Sequence, residues 1–333
     1  MSPYRSGRRL LHDFAHAALI VDSDETLVSG LVPLLRRSLD NREPVLMVVG
    51  KQAERVVRRE LGELSDRLEW KDQSAFYQRL GSAYEGFRRY LAEQHAAGRR
   101  VHVVAEPDVA TESGPVPVDR VTAYLSYEAM CNEAYAEYGC PVTCLWDSRR
   151  HPALVIEGVR SVHSQELTAA GKIRNPGYVT PQDYLVARSD VPLEPPPPTV
   201  DVDRQFTNAG QLALLRAAVQ TWAEDRSFAA AATDDVVLAV TEVATNGLVH
   251  GAPPVRVRAW HHADILIVQV DDSRGRRLPP AAGYRRPSLG PEGGRGLWLA
   301  RQLADTVTAH TGNGCTSVRL HFPYDVTHRR PAS

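Results

Sequence analysis

Thr233-Asp-Asp-Val-Val-Leu-Ala-Val-Thr-Glu-Val-Ala-Thr-Asn-Gly-Leu-Val-His250 reads as one helix whose two faces differ in kind. Thr233 suits an N-cap, with Asp234 and Asp235 in the first turn, where the helix dipole favours negative charge. Gly251 and Pro253 end it. Glu242, Asn246 and His250 recur at i, i+4 and i+8 and so share a face, while Val236, Val240 and Val243 supply the opposing apolar surface. A carboxylate, an amide and an imidazole in one stripe fit either a solvated face or a site.

Working outward, the second half reads as helices about Ala209–Asp225 and Thr233–His250, then strands about Val255–Trp260 and Ile265–Asp271. A polar Gly- and Pro-rich loop, Ser273 to Gly294, leads to a helix Leu297–Ala304 and strands Val307–Thr311 and Ser317–Phe322. Helices on one face of a mixed sheet make an α/β sandwich. Asp271 closes its strand with a carboxylate able to accept an exocyclic amine, and Gly275 permits close backbone approach. Gly293-Gly-Arg-Gly-Leu-Trp-Leu299 places glycines at a helix start, where amides favour phosphate. Gly314-Cys-Thr-Ser-Val318 enters the last strand.

In this order and spacing the set resembles the Bergerat-fold (GHKL, or HATPase) ATPases, and within them the anti-sigma-factor serine kinases, over about Gln205 to Tyr324. The resemblance implies ATP and Mg²⁺ as cofactors. It implies that Glu242 is the general base and that Asn246, bound to ATP, coordinates the Mg²⁺. It further implies that Asp271 and Gly275 read adenine, that Gly294, Arg295, Gly296 and Leu297 form the phosphate loop, and that Thr316 lies near the adenine. Ser273, Cys315 and Gly247 depart from the usual pattern. The implied function is that of an anti-sigma factor that sequesters a sigma factor and phosphorylates a serine on an anti-anti-sigma (STAS-domain) partner, with a homodimer expected of such domains. Two alternatives stay open: a non-catalytic ATP-binding partner-switch module, and a small-molecule sensor acting by protein binding only.

The first half alternates short apolar strands (Ala17–Val21, Pro44–Val49, Arg100–Ala105, Val142–Trp146) with helices (Leu27–Leu39, Gln52–Leu61, Tyr77–Ala97, Asp119–Tyr138). Strands apolar on both faces indicate a mainly parallel sheet covered on both sides. Asp22-Ser-Asp-Glu25 is acidic where a phosphate loop needs glycines and a lysine, and Gly50-Lys51 lacks the upstream glycine, so no second nucleotide site is expected here. Ala18-Leu-Ile-Val-Asp22, Pro44–Gly50, Tyr127-Glu-Ala-Met-Cys-Asn132 and Cys144-Leu-Trp-Asp147 resemble the MEDS sensory domain, a degenerate relative of RecA-like folds. That resemblance implies a three-layer parallel-sheet domain with a sensory or regulatory role. Tyr127, Glu128, Asn132 and Cys144 read as packing and capping residues or as the lining of a site.

Between the halves, Val191-Pro-Leu-Glu-Pro-Pro-Pro-Pro-Thr199 reads as an extended, semi-rigid spacer. The expected division is therefore 1–190, a Pro-rich linker 191–204 and 205–325, with Gly171–Asp190 an irregular trailing arm. In the 333 residues, 39 Lys and Arg against 40 Asp and Glu leave a net charge of −1, which argues against direct nucleic-acid binding. Four cysteines are too few for a disulfide scaffold, and the spacing of Cys131, Cys140, Cys144 and Cys315 matches no zinc pattern. No stretch approaches 18 apolar residues, and the Arg5, Arg8 and Arg9 run is followed by His12, Asp13 and His16 rather than a signal sequence. A cytoplasmic protein without membrane contact is expected.

Overall fold

The computed structural model describes residues 15–77, 79–107, 118–262, 265–287 and 295–323, without the side chains of 118, 119 and 323. Its contacts divide the chain into two units, one of residues up to 184 apart from 79–82, the other of 79–82 with 185 onward.

The first unit runs β1(His16–Val21), α1(Asp24–Asp40), β2(Val45–Val48), α2(Lys51–Leu61), β3(Glu69–Trp70), α3(Gln73–Phe76), α4(Leu80–Ala96), β4(His102–Ala105), α5(Val118–Ala134), β5(Val142–Asp147), α6(Ala153–Val162), β6(Gln165–Thr168) and β7(Gly171–Arg174), before α7(Pro181–Ser189). Its sheet is ordered β3-β2-β4-β5-β1-β6-β7, and every pair but β6–β7 is parallel. The inner strand β1 is apolar on both sides because both sides are covered. Ala17, Leu19 and Val21 pack with Leu27, Leu31 and Leu35 of α1 and Val56 and Val57 of α2. On the other side Trp146 of β5 meets Tyr124 of α5 at 5.7 Å between ring centroids. Ser23 caps α1, its hydroxyl accepting from Thr26 N at 3.1 Å.

The expected three-layer parallel domain is present, and it is joined by elements that the sequence reading left out: β3, α3, α6 and the hairpin β6–β7. Gly171–Asp190 is not an irregular arm: it holds β7 and α7. Strands of two to four residues carry too little alternation to register against helical neighbours.

The second unit runs β8(Val202–Phe206), α8(Leu212–Asp225), α9(Ala230–His250), β9(Val255–His262), β10(Ile265–Asp272), α10(Arg295–Leu303), β11(Thr306–Gly312) and β12(Cys315–Pro323). Its sheet, ordered β11-β12-β10-β9-β8, is antiparallel at every pair rather than mixed. Leu266, Val268, Val270, Val257 and Leu320 turn one sheet face to Leu215, Val219, Val236, Val240 and Ala300 of the three helices, closing the core. This is the expected α/β sandwich. Two local expectations fail. α9 starts at Ala230 after an Ala229 cap, which leaves Thr233 buried inside the helix with a hydroxyl that has no hydrogen-bond partner. β8 begins inside the segment read as linker and runs on into the second domain, pairing with β9 through Val202↔Ala259 and Phe206↔Val255. Pro192–Pro196 border a cavity of about 440 Å³ on the helix-free face of the sheet, together with Arg256, Arg258 and Asp271, and Glu194 O accepts from Arg319 Nη2.

Candidate functional site

α9 is apolar toward the sheet, so its opposite edge is available for chemistry. Glu242 and Asn246 stand there, one turn apart and half-buried, and the first turn of α10 comes up against them. The closeness is measured at Gly296: a Cβ on it would lie 2.7 Å from Glu242 Oε2 and 3.1 Å from Asn246 Nδ2. A side chain at this position would push the pair aside, so glycine lets the α10 backbone approach it, and the amides of a helix start sit beside a carboxylate and an amide. Gly247, one residue on, brings α9 down onto β9, since a Cβ there would meet Val255 Cγ2 at 3.0 Å.

Strand alternation decides which aspartate belongs to this site. Leu266, Val268 and Val270 of β10 face the helices, so Asp272 does as well and Asp271 faces away. A Cβ on Gly251, just past α9, would lie 2.6 Å from Asp272 Cγ. Asp271 is buried on the opposite face, where Oδ2 accepts from Arg258 Nη2 at 2.6 Å and Oδ1 from Gln269 Nε2 at 2.8 Å and Ser317 Oγ at 2.5 Å. The expectation that Asp271 joins Glu242 and Asn246 is therefore corrected: the carboxylate on their side of the sheet is Asp272. Its Oδ1 accepts from Arg274 N at 2.9 Å, shaping the turn after β10.

Thr316 stands opposite Asp272 in the β10–β12 pairing and so shares its face. It is buried, and its Oγ1 donates to Arg276 O at 2.9 Å. Gly275 has φ +59°, and a Cβ there would lie 2.7 Å from Gly314 C, so the turn after β10 stacks on the β11–β12 turn. Leu297 is a core residue of α10, Arg295 is exposed at its start, and Gly294 lies outside the described residues. Of the Gly- and Pro-rich loop Ser273–Gly294, residues 273–287 are described. Within them Gly283, at φ +78°, lies against the Leu297 backbone, and Ala282 O accepts from Arg301 Nε at 3.2 Å. Cys315 is half-buried, and burial raises its thiol pKa.

Chemically, the arrangement offers a hard oxygen ligand (the Asn246 amide), a carboxylate able to take a proton (Glu242), helix-start amides suited to phosphate and, along the same face, the Asp272 carboxylate with Thr316. The donor set fits a nucleotide with a partly hydrated Mg²⁺. What sequence reasoning missed is Asp272, although the alternation of Leu266, Val268 and Val270 extended by two points to it.

Two family models match stretches of the chain. The model of the MEDS (methanogen/methylotroph, DcmR sensory) domain matches residues 15–164, and that of the histidine kinase-like ATPase domain matches 206–322. A crystal structure of the RsbU and RsbW domains of Rv1364c from Mycobacterium tuberculosis is similar at 20% identity and a TM-score of 0.29, over 39% of this chain and 34% of that one. No curated protein matches the chain. Among the described residues no helix is long and apolar enough to cross a membrane.

Proposed function

Because the chain joins a MEDS domain to a histidine kinase-like ATPase domain, we propose that its second unit is an ATP-dependent protein serine kinase of the anti-sigma type, governed by the first. In this reading it sequesters a sigma factor and phosphorylates a serine on an anti-anti-sigma (STAS-domain) partner. The observation that carries it is the convergence of Glu242 and Asn246 on the Gly296 backbone.

Asn246 would hold Mg²⁺ through its amide oxygen, beside ATP phosphates and waters, and the ion would neutralise charge on those phosphates. The amides at the start of α10, with Arg295 and Gly296, receive the phosphate chain. Asp272 accepts a hydrogen bond from the adenine amine, with Thr316 beside it. Glu242 takes the proton of the incoming serine hydroxyl as its oxygen bonds to the γ-phosphorus and the bond to the ADP oxygen breaks. The phosphoserine adds about −1.5 to −2 charges to the partner and weakens its competing interface, so partner choice follows from differential affinity.

Incubating the full chain with Mg-ATP and a cognate STAS partner tests this. Phosphoserine should form and should be lost in Glu242→Ala while nucleotide still binds. Nucleotide binding without any transfer in the unmodified chain rejects the kinase and leaves the non-catalytic module.

A further inference from the structure

Among the described residues of the first unit, four side chains meet in one buried spot: His16 (β1), Glu128 (α5), Cys144 (β5) and His163, just past α6. None is more than 3% exposed. His16 Nε2 lies 3.0 Å from Glu128 Oε2 and 3.4 Å from Cys144 Sγ; Glu128 Oε2 is 3.5 Å from Cys144 Sγ and 3.5 Å from His163 Nε2. All four ligand atoms fall within 4.8 Å of one another. Tetrahedral zinc with bonds of about 2.0–2.3 Å has ligand–ligand edges of about 3.3–3.8 Å, so the cluster needs only slight adjustment to surround an ion.

Both imidazoles are held in the form that offers Nε2 inward. His163 Nδ1 is 2.8 Å from Val159 O, and since a carbonyl only accepts, the proton is on Nδ1. Asn132 Nδ2 donates to Val162 O at 2.9 Å and Ala129 O at 3.1 Å, which turns its Oδ1 toward His16 Nδ1 at 3.2 Å. These are the outer partners that orient metal-bound histidines. Two buried polar atoms here, His163 Nε2 and Glu128 Oε1, have no hydrogen-bond partner, a costly condition that a cation relieves. A cavity of about 30 Å³ opens beside His16, Glu128 and Cys144, more than the roughly 10–15 Å³ one water needs.

We propose that His16, Glu128, Cys144 and His163 bind one divalent ion of the zinc class inside the MEDS domain. Two imidazoles, one thiolate and one carboxylate form a mixed N, S and O set suited to a borderline ion, and their two negative charges neutralise it in a dry interior. Binding replaces the Cys144 S–H bond by a metal–sulfur bond and releases one proton; no electron moves. The four residues belong to the first unit, and the ATP-site residues to the second.

The test uses the full chain and cobalt(II), whose tetrahedral sites are coloured. One cobalt per chain should bind, with visible ligand-field bands and a near-ultraviolet thiolate-to-cobalt band. Added zinc should bleach both. Cys144→Ser should lose the thiolate band, and Asn132→Ala should weaken binding by about 10–100-fold. Cys140→Ser, outside the cluster, should change nothing. If Cys144→Ser does not fold, His163→Gln and the titration of the unmodified chain decide. A folded unmodified chain that binds no cobalt overturns the proposal in favour of a proton shared within the cluster, as does a thiolate band that survives Cys144→Ser.

Discussion

Asp272→Asn and Asp271→Asn separate the two faces of the second sheet, because the substitutions are isosteric and one residue apart. The Asp272→Asn variant keeps an oxygen for Arg274 N and so keeps the turn, but it loses the charge with which, in the proposed site, Asp272 would accept the adenine amine. A hydrogen bond to a charged group contributes about 1.5–3 kcal/mol, which at about 1.4 kcal/mol per tenfold is a loss of roughly 10- to 150-fold in ATP affinity. Asp271→Asn acts elsewhere. It removes the charge paired with Arg258 at 2.6 Å, in a place where Arg258 Nε is already buried without a partner. Weakening that pair should destabilise the unit by about 1–3 kcal/mol, with ATP affinity changed little at temperatures where the protein stays folded. Titration calorimetry with ATP, beside thermal melting of both variants, reads the two effects separately. If Asp271→Asn loses ATP without loss of melting temperature, while Asp272→Asn binds normally, the strand-face argument is refuted.

Gly296→Ala adds a methyl group that must displace the Glu242 carboxylate from 2.7 Å. Because that carboxylate is a flexible side-chain end, melting should stay within about 1 kcal/mol of the parent, while misplacing the base lowers phosphoserine formation by about a hundredfold; an unimpaired variant contradicts this. His102 and His321 are buried, and burial lowers their pKa values to about 3 and about 4. A folded-state value below the unfolded value of about 6.5 means that the unfolded chain binds the proton first. Stability is thus complete above about pH 6.5 and falls by up to about 1.4 kcal/mol per pH unit for each group, toward pH 3 in the first unit and pH 4 in the second. Melting temperatures across this acid range check it, and a flat profile would contradict it. Thr316→Val should remove the hydroxyl that holds Arg276 O at 2.9 Å and weaken ATP binding several-fold in calorimetry, with α9 and its Glu242–Asn246 pair undisturbed.

Much of this was legible in the sequence, because periodicity reports burial. Ala17–Val21 reads as a doubly covered strand and becomes an inner strand of a parallel sheet; Glu242 and Asn246 read as one helical face and do converge. What escaped had weaker local signals. β8 shows only Val202 and Phe206 buried about three exposed residues, and the proline-rich stretch before it masked it. Thr233 looked like a cap because its type favours caps, yet packing starts the helix three residues earlier. Asp271 is the aspartate that the family resemblance points to, whereas the period-two register of β10 turns Asp272 to the helix face. The His16–Glu128–Cys144–His163 cluster escaped for another reason. Its members lie far apart in the chain, so no local spacing reveals a set that only the β1–β5 pairing and the α5 and α6 cover bring together.

In the proposed function Asn246, Glu242 and the start of α10 act as one nucleotide site. Calorimetric titration of the full chain with ATP, with and without Mg²⁺, tests it most directly. One ATP per chain should bind, more tightly with Mg²⁺, and an Asn246→Ala variant should lose the Mg²⁺ effect. A folded chain that binds no ATP under either condition, or an Asn246→Ala variant with the full Mg²⁺ effect, would contradict it.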